Sequence, residues 1–286
     1  MTDRGTGRKP APRRHRTPRL PPGLRRALLL LALLAAAIPA AAAPRPFSVR
    51  DIPVGISLTE FRRLHHPDAD KYRGAKIYCS TDPGVGGIEA LAMPPTLLQA
   101  DTLKCGFFQL AAAAEGERLT SAPLTFLGEE ISPLFLFSRP EGARDYALAQ
   151  ITFAMSNRRG GQTIELFYRA FGGVTSLDVT GVSTTFGSDM SNIRYIWRNE
   201  LSSIQLDSLS FVLTEMSVVF YDNRLWSDLS ERIATIERMN RIAAQEEQRL
   251  REASEAAHKA ADAASQPSAA PPADGKSDSS AAKPTQ

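Results

Sequence analysis

The sequence has little of the material from which active sites and metal centres are built. Its 286 residues include 4 histidines and 2 cysteines, side chains that commonly supply proton transfer, nucleophilic attack and metal binding. It contains no Gly-x-Ser-x-Gly nucleophile elbow, no His-Glu-x-x-His zinc motif and no Walker phosphate loop. We therefore expect a protein that is not an enzyme and that holds no cofactor.

The sequence also lacks a long apolar segment. No apolar run reaches the length of about 20 residues that a membrane-spanning helix needs. The apolar run Ala27–Ile38 follows a strongly basic segment, and Pro39 and Ala40–Ala43 come directly after it. This order of basic, apolar and small residues is typical of a secretory signal peptide that is cleaved after Ala42. The sequence predicts a signal peptide over 1–42 and a periplasmic or secreted mature protein, and a retained anchor is the alternative.

The charge of the mature chain argues against nucleic-acid binding. The formal net charge of the whole sequence is +3, but the leader contributes +8 of it, so cleavage leaves a mature chain of −5. Proteins that bind nucleic acid or anionic membranes usually carry a basic surface. We expect no nucleic-acid partner and, after cleavage, no stable transmembrane helix.

The cysteines both lie in the exported part of the chain. Cys79 and Cys105 are 26 residues apart, and export places them in an oxidising compartment. Two thiols without a third predict one disulfide between them, and a pair of buried free cysteines is the alternative.

A helix followed by short β-prone runs is predicted in the first half of the mature chain. Ser57 and Glu60 have the spacing of a capping box, and every third residue from Leu58 to Leu64 is apolar, up to a stop at Pro67. The segment 111–116 fits a helical turn or a loop. The expected strands are Lys76–Ser80, Thr102–Leu110, Leu124–Leu127, Leu134–Ser138 and Tyr146–Met155.

The same pattern returns further along. Gln162–Phe171 is predicted to be a helix that ends at Gly172, and strands follow at Ile193–Trp197, Ser203–Leu209 and Met216–Tyr221. The expected fold class is α+β, with two helix-plus-antiparallel-meander units packed as two layers. The units cover residues 43–158 and 159–223, and no residue-level repeat shows whether they are a duplication.

The C-terminal part changes to one long charged helix over residues 224–264. An apolar stripe runs along its first half and consists of Leu225, Leu229, Ile233, Ile236 and Met239. Because the stripe thins after Ala243, we expect the first half to dock and the second half to project. The heptad spacing suggests a coiled coil whose seam is interrupted by Arg232 and Glu246. Residues 265–286 lack large apolar side chains and predict a disordered tail.

A cluster of candidate metal ligands follows the first predicted helix. His65, His66, Asp68 and Asp70 offer imidazole and carboxylate groups that suit zinc or another first-row metal. Histidines also stabilise the C-terminus of a helix, and Pro67 with the aspartates is ordinary turn chemistry. Adjacent helical histidines point about 100° apart, so we expect no metal site and keep a metal-dependent periplasmic enzyme as an alternative.

The segment Val54–Leu64, with Pro67 behind it, resembles the Gly-Met-Ser/Thr-x-x-Glu-Val-x-x-x-Leu opening of SmpA/OmlA-type envelope modules. Those modules pack helices on a three-stranded antiparallel sheet, and their lipidated cysteine has no counterpart in this chain. The resemblance implies an envelope binding or assembly module and brings no catalytic residues. Together with the lack of catalytic motifs, the resemblance predicts an exported scaffold whose C-terminal helix binds a partner protein. An envelope protein that binds an apolar ligand between helix and sheet is a further alternative.

Overall fold

The computed structural model describes residues 44–85, 87–113, 116–183, 189–210 and 214–265. The signal peptide predicted for 1–42 and, apart from Ser265, the tail predicted for 265–286 lie outside these described residues.

Short helices and antiparallel strands precede one long helix in the described chain. The strands are β1 (Ser48–Val49), β2 (Ile52–Pro53), β3 (Lys76–Cys79), β4 (Thr102–Ala113), β5 (Gly116–Ser121), β6 (Leu124–Phe126), β7 (Glu129–Ile131), β8 (Leu134–Ser138), β9 (Ala147–Ser156), β10 (Ser176–Ser183), β11 (Asp189–Arg198), β12 (Ser202–Asp207) and β13 (Glu215–Asp222). The helices are α1 (Leu58–Phe61), α2 (Pro95–Gln99), α3 (Gly160–Phe171) and α4 (Asn223–Ser265).

One antiparallel sheet runs through both predicted units. Its strand order is β10-β11-β12-β13-β9-β8-β4-β3, and β5 pairs with the second half of β4. The order is symmetrical, because α1 precedes the meander β3-β4-β8-β9 and α3 precedes the meander β10-β11-β12-β13. The last strands of the two meanders, β9 and β13, pair with each other. The predicted α+β class is confirmed, and this pairing joins both meanders in a single sheet.

The main core lies on one face of that sheet, beneath α1, α3 and the β6–β7 hairpin. The buried ring of α1 is Phe61, whose centroid lies 4.7–6.0 Å from those of Phe107, Phe135 and Phe137. Phe167 of α3 packs on Trp197 with centroids 5.5 Å apart. Burial of side chains this large contributes roughly 1.5 to 3 kcal/mol each, so these rings hold both helices on the sheet.

The predicted capping box is present, but its helix is shorter than expected. Ser57 accepts the backbone N–H of Glu60, and the Glu60 carboxylate accepts the backbone N–H of Ser57. The helix ends at Phe61 instead of Leu64. The backbone N–H of Leu64 bonds to the carbonyl of Phe61, 3.0 Å away, so the chain tightens into i→i+3 turns once Phe61 has reached the core.

The second predicted helix is confirmed with a start two residues earlier, at Gly160. It ends at Gly172, whose φ of 81° lies in the left-handed region that favours glycine. The carbonyl of Gly172 accepts the indole N–H of Trp197 at 2.9 Å. This bond satisfies the polar atom of a side chain that is 1% exposed.

Several strands were not expected from the sequence, among them β5, β7 and β10. The undecided segment 111–116 divides between the end of β4, at Ala113, and the first residue of β5, Gly116. Strand β10 lies at one end of the sheet, and its Leu177 and Val179 are 50% and 61% exposed. Leu177 and Val179 alternate with Asp178 and Thr180, but this edge strand buries neither of its faces.

The predicted disulfide between Cys79 and Cys105 is present. The two residues lie directly opposite each other on β3 and β4, and both are 0% exposed. The bridge therefore ties the last strand of the sheet order to its neighbour inside the main core.

Candidate functional site

The opposite face of the sheet is covered in part by the start of α4. Oδ1 of Asp222 accepts the backbone N–H of Leu225 at 2.9 Å, which satisfies one of the free N–H groups of the first turn. Leu225 and Leu229 are 6% and 0% exposed, and they belong to a second apolar cluster with Leu136 of β8 and Ala149 of β9. The base of the helix is thus anchored on the middle of the sheet.

Arg232 adds a polar attachment one turn beyond Leu229. Its Nη1 donates to the carbonyl oxygen of Ala100 at 2.8 Å, and its Nη2 donates to the Oγ of Ser138. Ala100 and Ser138 are 2% and 1% exposed, so water does not readily replace the guanidinium there. The two bonds join α4 to the end of α2 and to the end of β8.

Beyond this attachment α4 leaves the body of the protein. Asn240 donates a hydrogen bond from its Nδ2 to Oε1 of Gln99 in α2, at 3.3 Å. Every residue from Glu237 to Ala261 is exposed, and Ile242 and Leu250 are 60% and 63% exposed. The predicted long helix is confirmed and differs by one residue at each end from 224–264. Its coiled-coil pairing stays a prediction.

The exposed part of α4 is supported by bonds along its own surface. Arg251 donates to Glu247 at 2.5 Å, and Gln248 donates to Glu252 at 2.8 Å. Pairs at i and i+4 stabilise a solvated helix by about 0.2 to 0.5 kcal/mol each. This part of the helix contributes almost no buried area to the body of the protein.

The four candidate metal ligands do not converge. His66 is 5% exposed, its Nδ1 accepts the backbone N–H of Asp68 at 3.1 Å, and its Nε2 lies 3.2 Å from the carbonyl of Ala122. His65 and Asp70 are exposed. In the part of the chain that the structure describes, no group of three or more His, Cys, Asp or Glu side chains is placed to hold a metal ion.

Asp68 holds neighbouring segments together. Its carboxylate accepts the backbone N–H of Thr125 and pairs with the guanidinium of Arg50 at 3.0 Å. Partial burial opposes ionisation, but these hydrogen bonds and the Arg50 charge outweigh it and hold the pKa of Asp68 below its ordinary value. The ionised carboxylate of Asp68 therefore has a structural role, as the partner of Thr125 and Arg50.

A polar network that sequence reasoning did not identify covers the same sheet face beside α4. Asp207, which is 9% exposed, accepts hydrogen bonds from Arg194 Nε at 2.8 Å, from Gln205 Nε2 at 2.7 Å and from Asn192 Nδ2 at 3.2 Å. The bond to Asp207 raises the pKa of Arg194 despite partial burial. The alternation of β11 placed Arg194 on this face, but only the pairing with β12 brings Asp207 opposite to it.

A groove of about 510 Å³ lies between this network and the first turns of α4. Tyr221 and Trp226 form its aromatic wall, with ring centroids 4.9 Å apart. Burial, helped by the charge of Asp207 and opposed by that of Arg194, raises the pKa of Tyr221 to about 12. The phenol is therefore neutral at physiological pH and available to donate a hydrogen bond.

None of the helices in the described ranges combines the length and the apolar character that crossing a membrane requires. Comparisons of the chain with models of protein families, with curated proteins and with solved structures found no match.

Proposed function

We propose that this chain is an exported, non-enzymatic envelope protein that works as a binding or assembly module, and that the exposed half of α4 is the part its partner binds. The observation that carries the proposal is the contrast within one helix. Leu225 and Leu229 are buried on the sheet, whereas Ile242 and Leu250 on the same helix are exposed by 60% or more. A helix that is anchored at its base and free beyond it presents a stable surface at a distance from the body.

The exposed half has the composition of a surface that meets another protein. It carries the exposed apolar side chains Met239, Ile242 and Leu250 between charged residues of both signs. Isolated apolar side chains on a solvated helix add nothing to the stability of this chain. An apolar face laid into the groove of a partner is a common mode of helix recognition.

Export to an oxidising compartment is supported by the disulfide and by the basic, apolar and small-residue order of residues 1–42. The resemblance of Val54–Leu64 to SmpA/OmlA-type modules points to the same compartment and to a role in assembly. Fractionation of cells into periplasm, membranes and cytosol tests the location. A protein found wholly in the cytosol contradicts this proposal.

In-cell photocrosslinking tests the use of the helix. A photoreactive amino acid at Ile242 or at Leu250 is expected to trap one and the same envelope protein. The matched control position is Leu110 on β4, which is 58% exposed on the body and distant from α4 in sequence. Identical crosslinks from Leu110 and Leu250, or none from either helix position, overturn the assignment of α4 as the binding surface.

A further inference from the structure

The groove beside α4 has a chemistry that the proposed function does not use. It is bounded by the polar side of β11, β12 and β13 and by the first two turns of α4. Its volume of about 510 Å³ lies in the range of small-molecule sites, which is roughly 300 to 1,000 Å³.

Among the described residues that line the groove, only Arg198 carries a charge. Its Nε donates to Ser203 Oγ at 3.2 Å, and no carboxylate of the described residues forms an ion pair with it. Arg194, four residues earlier on β11, is paired with Asp207 at 2.8 Å. The groove therefore carries one uncompensated positive charge, whose terminal nitrogens match the two oxygens of a carboxylate.

Hydroxyl and amide groups surround that charge. Ser203 Oγ donates to Asn223 Oδ1 at 2.6 Å, and Asn223 Nδ2 donates to the carbonyl of Asn199 at 2.9 Å, so both side chains are held in position. Gln205 is fixed through its Nε2 to Asp207 at 2.7 Å, which leaves its carbonyl oxygen as an acceptor. Ser227 of α4 is exposed at the rim.

The aromatic wall supplies a flat apolar surface with polar ends. Trp226 and Tyr221 contact each other at 42°. Neither the indole N–H nor the phenol O–H has a hydrogen-bond partner among the described residues. Partly buried aromatic side chains of this type offer an apolar face together with a polar group at one end.

We propose that this groove binds an acidic sugar, meaning a pyranose ring with hydroxyl groups and a single carboxylate. Arg198 pairs with the carboxylate, Trp226 packs on the C–H face of the ring, and Gln205 and Ser227 bond to the ring hydroxyls. The match is one of charge and of shape. One uncompensated cation calls for one anion, and a flat wall beside fixed polar groups suits a ring with an apolar face and a hydroxylated rim.

The experiment is a titration of the full mature chain with glucuronate, in which NMR measures the chemical shifts of the backbone amides. Saturable shifts are expected at residues of β11, β12 and the start of α4. Glucose has the ring without the charge, and acetate has the charge without the ring. The affinity of each is expected to be lower than that of glucuronate by about tenfold or more. Glucuronate and acetate with equal affinity overturn the sugar assignment, and the absence of saturable shifts with glucuronate overturns the site.

Two variants separate recognition from folding. Arg198→Gln is expected to weaken glucuronate binding about tenfold or more while glucose binding is unchanged, because only the charge-assisted pair is lost. Trp226→Leu is expected to weaken both sugars. Arg73→Gln is the matched control, since Arg73 is an exposed arginine outside the groove. Binding of glucuronate that is the same in Arg198→Gln as in the unmodified chain contradicts the proposal.

Discussion

Arg232 donates a hydrogen bond to the carbonyl oxygen of Ala100, 2.8 Å away across 132 residues of sequence. Ala100 directly follows the short helix α2 and is buried, so its carbonyl has the guanidinium as a partner in place of water. The same side chain reaches Ser138 at the end of β8. One arginine thus joins the docked part of α4 to two other elements of the body.

Arg232→Met is expected to destabilise the protein by about 1.5 to 3 kcal/mol, because it leaves the buried oxygens of Ala100 and Ser138 without a charged donor. Urea unfolding measures the difference. Arg241→Met, on the exposed part of the same helix, is the matched control and is expected to change stability by about 0.5 kcal/mol or less. Equal effects from the two variants would show that Arg232 is not an attachment point.

Two truncations divide the docked helix from the exposed helix. A chain that ends at Asn223 loses Leu225 and Leu229, each worth roughly 1.5 to 3 kcal/mol when buried, and is expected to unfold at much lower urea concentration. A chain that ends at Gln245 keeps every described contact of α4 with the body and is expected to unfold like the full chain. Equal destabilisation by both truncations contradicts the division.

The disulfide is expected to stabilise the folded protein by roughly 3 to 4 kcal/mol for a loop of this length. The unfolded, unreduced protein should show no free thiol. A reducing agent should lower the urea midpoint of the unmodified chain and leave that of a Cys79→Ala, Cys105→Ala double variant unchanged. If the reducing agent lowers the urea midpoint of both proteins equally, the loss of stability is not caused by breaking the disulfide.

The carboxylate of Asp68 makes the stability depend on pH. Its folded-state pKa is depressed, so its stabilising contribution is complete above the unfolded value of about 3.9 and is lost as the pH falls through the lower folded value. Asp68→Asn should therefore be less stable than the unmodified chain near neutral pH, and the gap should close in acid. Asp70→Asn, at an exposed position, is expected to show no such convergence. A gap for Asp68→Asn that is constant with pH contradicts the account.

Local signals in the sequence determined the parts of the fold that depend on neighbouring residues. Ser57 and Glu60 satisfy each other within one helical turn, and Gly172 ends α3 through its own backbone freedom. In β12 and β13 the alternating residues Ile204, Leu206, Met216 and Val218 are all 0% exposed. These features were predictable because spacing along the chain is sufficient to produce them.

The tertiary structure decided which of those elements meet. Nothing local shows that β9 pairs with β13, that Arg232 reaches Ala100, or that Arg194 and Asp207 lie opposite each other on neighbouring strands. The same holds for the end of α1 at Phe61, for the edge strand β10, and for the groove that Arg198 and Trp226 both line. Each depends on contacts between residues far apart in sequence, and such contacts form only when the strands and helices have packed around a shared core. The sequence by itself determined periodicity, caps and the cysteine pair, whereas packing over long sequence separations determined the partners.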